Sequence, residues 1–301
     1  FDIPVVACGG AANIFDFEKN AKNLGEKLIQ ELPKAHLKHV FVLSEGSFVN
    51  GSALIEGIET SFKDKISLTG GMCGDGSRFE KTVASYKENP KGGEVIILGF
   101  YADSLEISFA SFGGWSPFGP ERIITKSDGN VLFEIDDLPA LDLYSKYLGD
   151  KASELPQASL LFPLNVTPNG KSKPVVRTIL SINKENNSMV LAGDVPEGSK
   201  VQLMMASVDA IAQGAYEAAK LAMENRVNQP QLALLVSCIG RKLVMDQRVE
   251  EEIEEVINVI GKQTSLTGFY SYGEIAPFHG ETACRLHNQT MTLTLIASNV
   301  I

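Results

Sequence analysis

The four-residue string Ser67-Leu68-Thr69-Gly70 returns as Ser265-Leu266-Thr267-Gly268, and the residues around each copy run in the same order. A helical stretch, a short apolar stretch ending in serine and a second helical stretch precede each copy. A glycine beside a carboxylate follows each, Gly74-Asp75 in one and Gly273-Glu274 in the other. Gly25 and Gly214 lie 189 residues apart, Ser44 and Ser237 193, and the two strings 198. A slowly rising offset is what loop insertions produce in a duplicated plan. One supersecondary unit used twice constrains the architecture before any motif is weighed. The crevice between matching turns of two packed halves is then the expected place for a ligand.

The first unit reads as a helix over 17–32, with Phe17, Ala21, Leu24, Leu28 and Ile29 at helical spacing and Pro33 closing it. A buried strand at 39–43 follows, then a helix capped by Asn50 or Ser52 and running to about Phe62, then a strand at 66–69. Strands at 81–87 and 94–101 are expected to form a hairpin through Pro90-Lys91-Gly92-Gly93, with another strand at 105–112. The second unit repeats the order: helix 208–223, strand 231–237, acidic helix 247–260, strand 265–269 and closing strand 290–296. Between them lie a Gly/Pro-rich loop from 113, a helix over 139–148, a hairpin of 175–182 with 188–192, and a strand at 200–204. This predicts an α+β fold of mixed layers in two pseudo-repeated halves, sheets inside and helices outside (αββα-like). The halves are divided as 1–136 and 137–301, and a faithful repeat would place a counterpart hairpin upstream of residue 1.

A net charge of −10 argues against a nucleic-acid backbone or an anionic membrane as partner. The longest apolar runs, such as 95–100 and 232–236, are too short to cross a bilayer. Four cysteines with no C-x-x-C pair read as reduced thiols of a cytoplasmic protein. His279, Cys284 and His287, spaced H-x4-C-x2-H, match none of the usual zinc patterns, so neither metal nor cofactor is expected. His36, His39 and the acidic run 250–255 are read as solvated.

Several residues could carry chemistry. The turn from Gly70 to Arg78 packs four glycines into seven positions, so a ligand could approach the backbone closely at Gly71. A tight interdomain turn is the plainer reading. Asp75 there and Glu274 at the matching turn could hold an ammonium group, and Arg78, Arg122 and Arg241 are candidates for a carboxylate. Trp115, in a loop with Phe118, would either wall an apolar pocket or fold onto the core. Tyr272 lies on the strand before Glu274. Cys238 stands beside Arg241 and Lys242, where positive charge would lower a thiol pKa, although a buried structural thiol is commoner. An enzyme with Cys238 as nucleophile and His287 as base is therefore an alternative to a non-catalytic binding protein.

The runs GGMCGDGSRFE, GGWSPFGPER, GDVPEGSKVQLM, SCIGRKLVMDQR, GFYSYGEIAP and LHNQTMTLTLI resemble the FIST proteins, which combine a FIST-N and a FIST-C domain. The resemblance implies a cytoplasmic sensory domain that binds a small ligand such as an amino acid and feeds a signalling output protein or domain. In F-box relatives it implies a protein-interaction scaffold. No kinase, cyclase, chemoreceptor or F-box segment is visible in these 301 residues.

Overall fold

The computed structural model describes residues 6–60, 66–78, 80–169 and 173–298. The first repeat comprises β1 (Val6–Asn13), α1 (Ala21–Glu31), β2 (Leu37–Ser44), α2 (Gly51–Glu59), β3 (Ser67–Cys73) and β4 (Glu94–Tyr101). Asn20 and Asn50 start the two helices by accepting hydrogen bonds from Asn23 N and Ala53 N. Strand β5 (Leu105–Phe112) leads into an inserted region. This contains β6 (Ser116–Asp128), β7 (Val131–Ile135), β8 (Leu138–Pro139), α3 (Ala140–Leu148), β9 (Leu164–Thr167), β10 (Val175–Arg177), β11 (Ile179–Asn183), β12 (Ser188–Leu191) and β13 (Lys200–Met205). The second repeat then runs α4 (Val208–Met223), β14 (Leu232–Cys238), α5 (Ile239–Met245), α6 (Glu251–Ile260), β15 (Ser265–Pro277), β16 (Cys284–His287) and β17 (Met291–Ser298).

Both repeats contribute to one sheet, ordered β1-β4-β2-β3-β15-β14-β17-β5, with β16 added on β15. The order is symmetric about β3/β15. β2 pairs parallel with β3 and antiparallel with β4, as β14 does with β15 and β17. The outer strands β1 and β5 occupy matching edges, so β5 completes the second half although it precedes the insertion. In the first half the corresponding point, between β1 and α1, holds only a 3-10 turn at Ile14–Phe17. The second sheet is thus an insertion carried by one repeat.

Side-chain alternation shows why the sheet folds back on itself. Val40 and Val42 of β2 pack with Leu24, Leu28, Leu54 and Ile58 of α1 and α2, whereas Phe41 faces Val236 and Ile296 of the other repeat. In β14, Ala233 and Leu235 meet the alanine face of α4 and Val256 of α6. Layers therefore stack helix, sheet, sheet, helix, as the residue pattern predicts. Ala215, Ala218, Ala219 and Ala222 let α4 lie close to the sheet.

The repeated glycine has a specific cause. In β3 and β15 alike it sits opposite the parallel neighbour, Gly70 against Val42 and Gly268 against Leu235. A Cβ on either would stand well inside contact distance of that neighbour's carbonyl oxygen, and Gly70 also has φ +144°.

The inserted sheet is ordered β10-β9-β13-β6-β7-β12-β11, with β8 on β7, and encloses its own core around Leu141, Tyr144 and Leu148 of α3. Its β11/β12 hairpin is the second part of the one expected; residues 175–177, expected in the same strand, form β10 and pair with β9 instead. Other expectations need correction. Residues 81–87 form no strand; one bridge, Ala84 to Lys91, remains. The amides of Glu80 and Lys81 donate to Asp75, and the Thr82 hydroxyl to Glu45, so the segment is held by side chains instead of a ladder. The loop expected around Pro117 and Pro120 is mostly the long strand β6, whose pairing with β13 shifts register between Val201 and Leu203, opposite the stretch that holds Pro120. The expected end of α2 near Phe62 lies outside the described residues.

Candidate functional site

Two clefts open where the first repeat meets the insertion and the β15/β16 hairpin. Beyond Ser44 the chain turns through Glu45, whose buried carboxylate accepts from Ser47 N (2.7 Å), Phe48 N (2.8 Å) and the Thr82 hydroxyl. That clamp shapes the turn into α2. The smaller cleft, about 240 Å³, lies against this turn and is lined by Ser47, Phe48, Met72, Leu180, Gly193 and Tyr272. It thus sits at the carboxyl ends of parallel strands β2 and β3, a usual ligand position in sheets of this kind. The larger cleft, about 500 Å³, is lined by Ser52, Glu56 and Glu59 of α2, Arg177 and Asp194 of the insertion, and Arg285 of β16. Leu286 borders both.

The larger cleft carries charge of both signs. Glu59 accepts from Cys284 N (2.6 Å), and burial raises its pKa. Arg177 is 7% exposed and donates to the carbonyls of Asp194 (3.1 Å) and Leu286 (2.9 Å). Burial lowers its pKa to about 10. Lys173 pairs with Glu281 at 2.9 Å on the rim. A pocket with a buried cation and a half-buried carboxylate can orient a ligand bearing complementary groups.

Of the residues singled out from sequence, Tyr272 lines a cleft directly. Its hydroxyl bonds Asp75, whose other oxygen accepts from Glu80 N and Lys81 N. Asp75 thereby organises the turn after β3, with Arg78 near it at the surface (Nε to Oδ2, 3.7 Å). Gly71 is buried in β3 opposite Glu274. Glu274 is fully buried and accepts from Ser271 Oγ, Thr290 N and Thr290 Oγ1. Burial raises its pKa to about 8, against the pull of those hydrogen bonds. Asp75 and Glu274 are thus held by neighbouring residues of β15 in separate networks, and neither lines these two clefts.

Arg241 is fully buried, bonding Glu252 at 2.9 Å and the carbonyls of Gly113 and Ile211. Glu252 also accepts from Ser237 (3.0 Å) and Tyr270 (2.8 Å). This corrects the reading of the acidic run as wholly solvated: Glu252 faces inward on α6. Arg122 pairs with Asp136 at 2.6 Å and bonds Tyr147, all on the insertion. Trp115 is buried against Met204, Ile211 and Met245.

Cys238 is buried, and burial together with Glu274 raises its thiol pKa. His287 bonds the Ala276 carbonyl (2.9 Å), and burial lowers its pKa to about 4. His279 pairs with Glu224 at the surface, and Cys284 bonds the Leu68 carbonyl. His39, expected in solvent, is fully buried between the sheet layers, against Ser67 (2.7 Å) and Thr69 (2.9 Å). His36 is exposed beside Asp103.

The cleft residues that sequence reasoning passed over are Glu59, Arg177 and Gly193. One signal was present: Gly193 opens the GDVPEGSKVQLM run. A Cβ there would stand 2.9 Å from Arg177 Cζ, so the glycine makes room for the guanidinium.

Residues 2–138 match the FIST N domain and residues 140–277 the FIST C domain. The chain belongs to the FIST family, whose domains are associated with sensing in signal transduction. It is similar to an uncharacterized protein of Methanocaldococcus jannaschii, 23% identical over 256 residues, covering 74% of this chain and 47% of the other. An uncharacterized protein of Mycobacterium tuberculosis is 25% identical over 189 residues, covering 60% and 49% respectively. The chain spans about half the length of these curated relatives. Among the described residues no helix is long and apolar enough to cross a membrane.

Proposed function

We propose that this protein is a cytoplasmic sensory domain that binds a small molecule, such as an amino acid, between its two halves and passes the binding state to a signalling output partner. The observation that carries the reading is the pair of clefts bordering Leu286, whose walls come from the first repeat, the insertion and the second repeat together. A ligand there touches all three parts, so its binding energy can bias their arrangement. Tyr272 lines the smaller of the two clefts. Asp75 and Glu274 are assigned to shaping the strands around the cleft.

The test is a thermal-shift screen of the purified chain against amino acids and other small metabolites, repeated with Ser52→Trp, which fills the larger cleft from α2. A ligand at about 100 times its Kd stabilises the native state by about 2.7 kcal/mol. A selective shift in the wild type that disappears in Ser52→Trp supports the reading. A shift of equal size in both proteins places the ligand elsewhere.

A further inference from the structure

The buried arginines of this fold differ in one respect. Arg241 has Glu252 at 2.9 Å, and Arg226 has Glu106 at 3.7 Å. Arg177 has no carboxylate within ion-pair distance among the described residues. Its Nε and Nη1 donate to the carbonyls of Asp194, Val176 and Leu286, while Nη2 donates to no acceptor among the described residues. Asp194 attracts it only at longer range. A desolvated cation without a counter-charge is costly, and natural structures pair such groups. Here the unpaired guanidinium lines the larger cleft, beside the space left by Gly193.

Its neighbours narrow the chemistry of what completes it. Lys173 is matched by Glu281, and Glu56 by Lys22. Glu59 is held by the Cys284 amide. Glu59, Asp194 and the exposed Arg285 also line the cleft, so what singles out Arg177 is burial with no carboxylate at ion-pair distance among the described residues, not an excess of positive charge. One free guanidinium nitrogen offers an end-on contact, which suits a monoanion. A dianionic phosphate would face Glu56, Glu59 and Glu281 with too few donors of its own.

We propose that the larger cleft takes a small monocarboxylate whose carboxylate group binds end-on to Arg177. This rests on the binding function proposed above, and it assigns the anion-recognising residue and the ligand's charge class. None of the arginines considered from sequence is placed for the role: Arg241 and Arg122 are already paired, and Arg78 stands at the surface.

The test is thermal shift followed by calorimetry in a carboxylate-free chloride buffer. The probes are the amino acids, two- to six-carbon monocarboxylates, their neutral amides and inorganic phosphate. The proteins are the wild type, Arg177→Lys, Arg177→Gln and Ser52→Trp, each checked for fold by circular dichroism. At least one carboxylate is expected to raise the wild-type midpoint while its amide does not. Arg177→Gln should lose that shift, and Arg177→Lys should weaken Kd by about tenfold or more, the size of a charge-assisted hydrogen bond. Unchanged Kd in both Arg177 variants overturns the assignment, as does a wild type that no carboxylate shifts. If neutral, cationic or phosphate probes shift the wild type but not Ser52→Trp, the cleft still binds a ligand and only the carboxylate assignment fails. If no probe shifts the wild type, the binding function fails with it.

Discussion

Glu252 is predicted to be among the most sensitive surface-spaced residues of the chain. It lies in an acidic run on α6, yet its carboxylate and the Arg241 guanidinium are both fully buried, 2.9 Å apart. The same carboxylate accepts from Ser237 and Tyr270. Glu252→Ala removes the acceptor for all three and strands the Arg241 charge. Breaking a buried pair from one side costs about 3–5 kcal/mol. The lost neutral hydrogen bonds add about 1 kcal/mol each at most and are not additive with it. At about 2 °C per kcal/mol for a chain of this size, the midpoint should fall by about 6–10 °C. Arg241→Met should cost a similar amount at neutral pH. The double variant Arg241→Met/Glu252→Leu should be more stable than the sum of the singles by about 2 kcal/mol or more. Urea unfolding of the four proteins provides the cycle. Additive effects, or a Glu252→Ala loss under about 1 kcal/mol, would refute the buried-pair reasoning. Glu254→Ala, exposed on the same helix, is the control and should change little.

Further predictions concern the repeated glycines, pH and the thiols. Gly70→Ala and Gly268→Ala should each destabilise by about 2–4 kcal/mol through clash with the facing carbonyl, read as lowered urea midpoints, whereas Gly92→Ala, where a Cβ meets only ordinary contacts, should be near neutral. Burial holds the His39 pKa at about 3, so between pH 6.5 and 3 the unfolded chain binds more protons and stability falls as pH drops; His39→Gln should flatten that acid limb. Glu274 moves the other way, from 4.5 to about 8, so its contribution is full below 4.5 and lost as pH rises through 8; Glu274→Gln should flatten the alkaline limb. A tenfold change in proton affinity between the folded and unfolded chain is worth about 1.4 kcal/mol, and pH-dependent urea midpoints that ignore both substitutions would contradict these assignments. Native-state iodoacetamide labelling, read by mass spectrometry, should reach half-buried Cys8 before Cys238 and Cys284, which are buried and should react only on unfolding. Rapid labelling of Cys238 would revive the thiol-enzyme reading.

Periodicity and the duplicated string carried much of the architecture because they are local signals. Helix spacing in α1 and α4 and the apolar runs at β2 and β14 each reflect residues within one element. The layered order followed because elements with one apolar face, or two, have few ways to pack. The glycine at the end of each string was legible as a requirement, though its cause, a carbonyl on the neighbouring parallel strand, was not.

Contacts between distant segments decided the rest. Glu252 and Glu254 look alike in sequence, and only the position of Arg241 across the α5–α6 turn separates a buried partner from a solvated neighbour. His39 reads as a surface residue until the second repeat closes over it and Thr294 completes the Thr69 hydroxyl pair at 2.6 Å. The site shows the same limit most clearly. Arg177, Glu59 and Arg285 lie far apart in the chain and line one cleft because the insertion packs against α2 and β16. A sequence records which groups are present and how each stretch prefers to fold. Which charges lose their water, and which find a partner when they do, is settled only when the layers close.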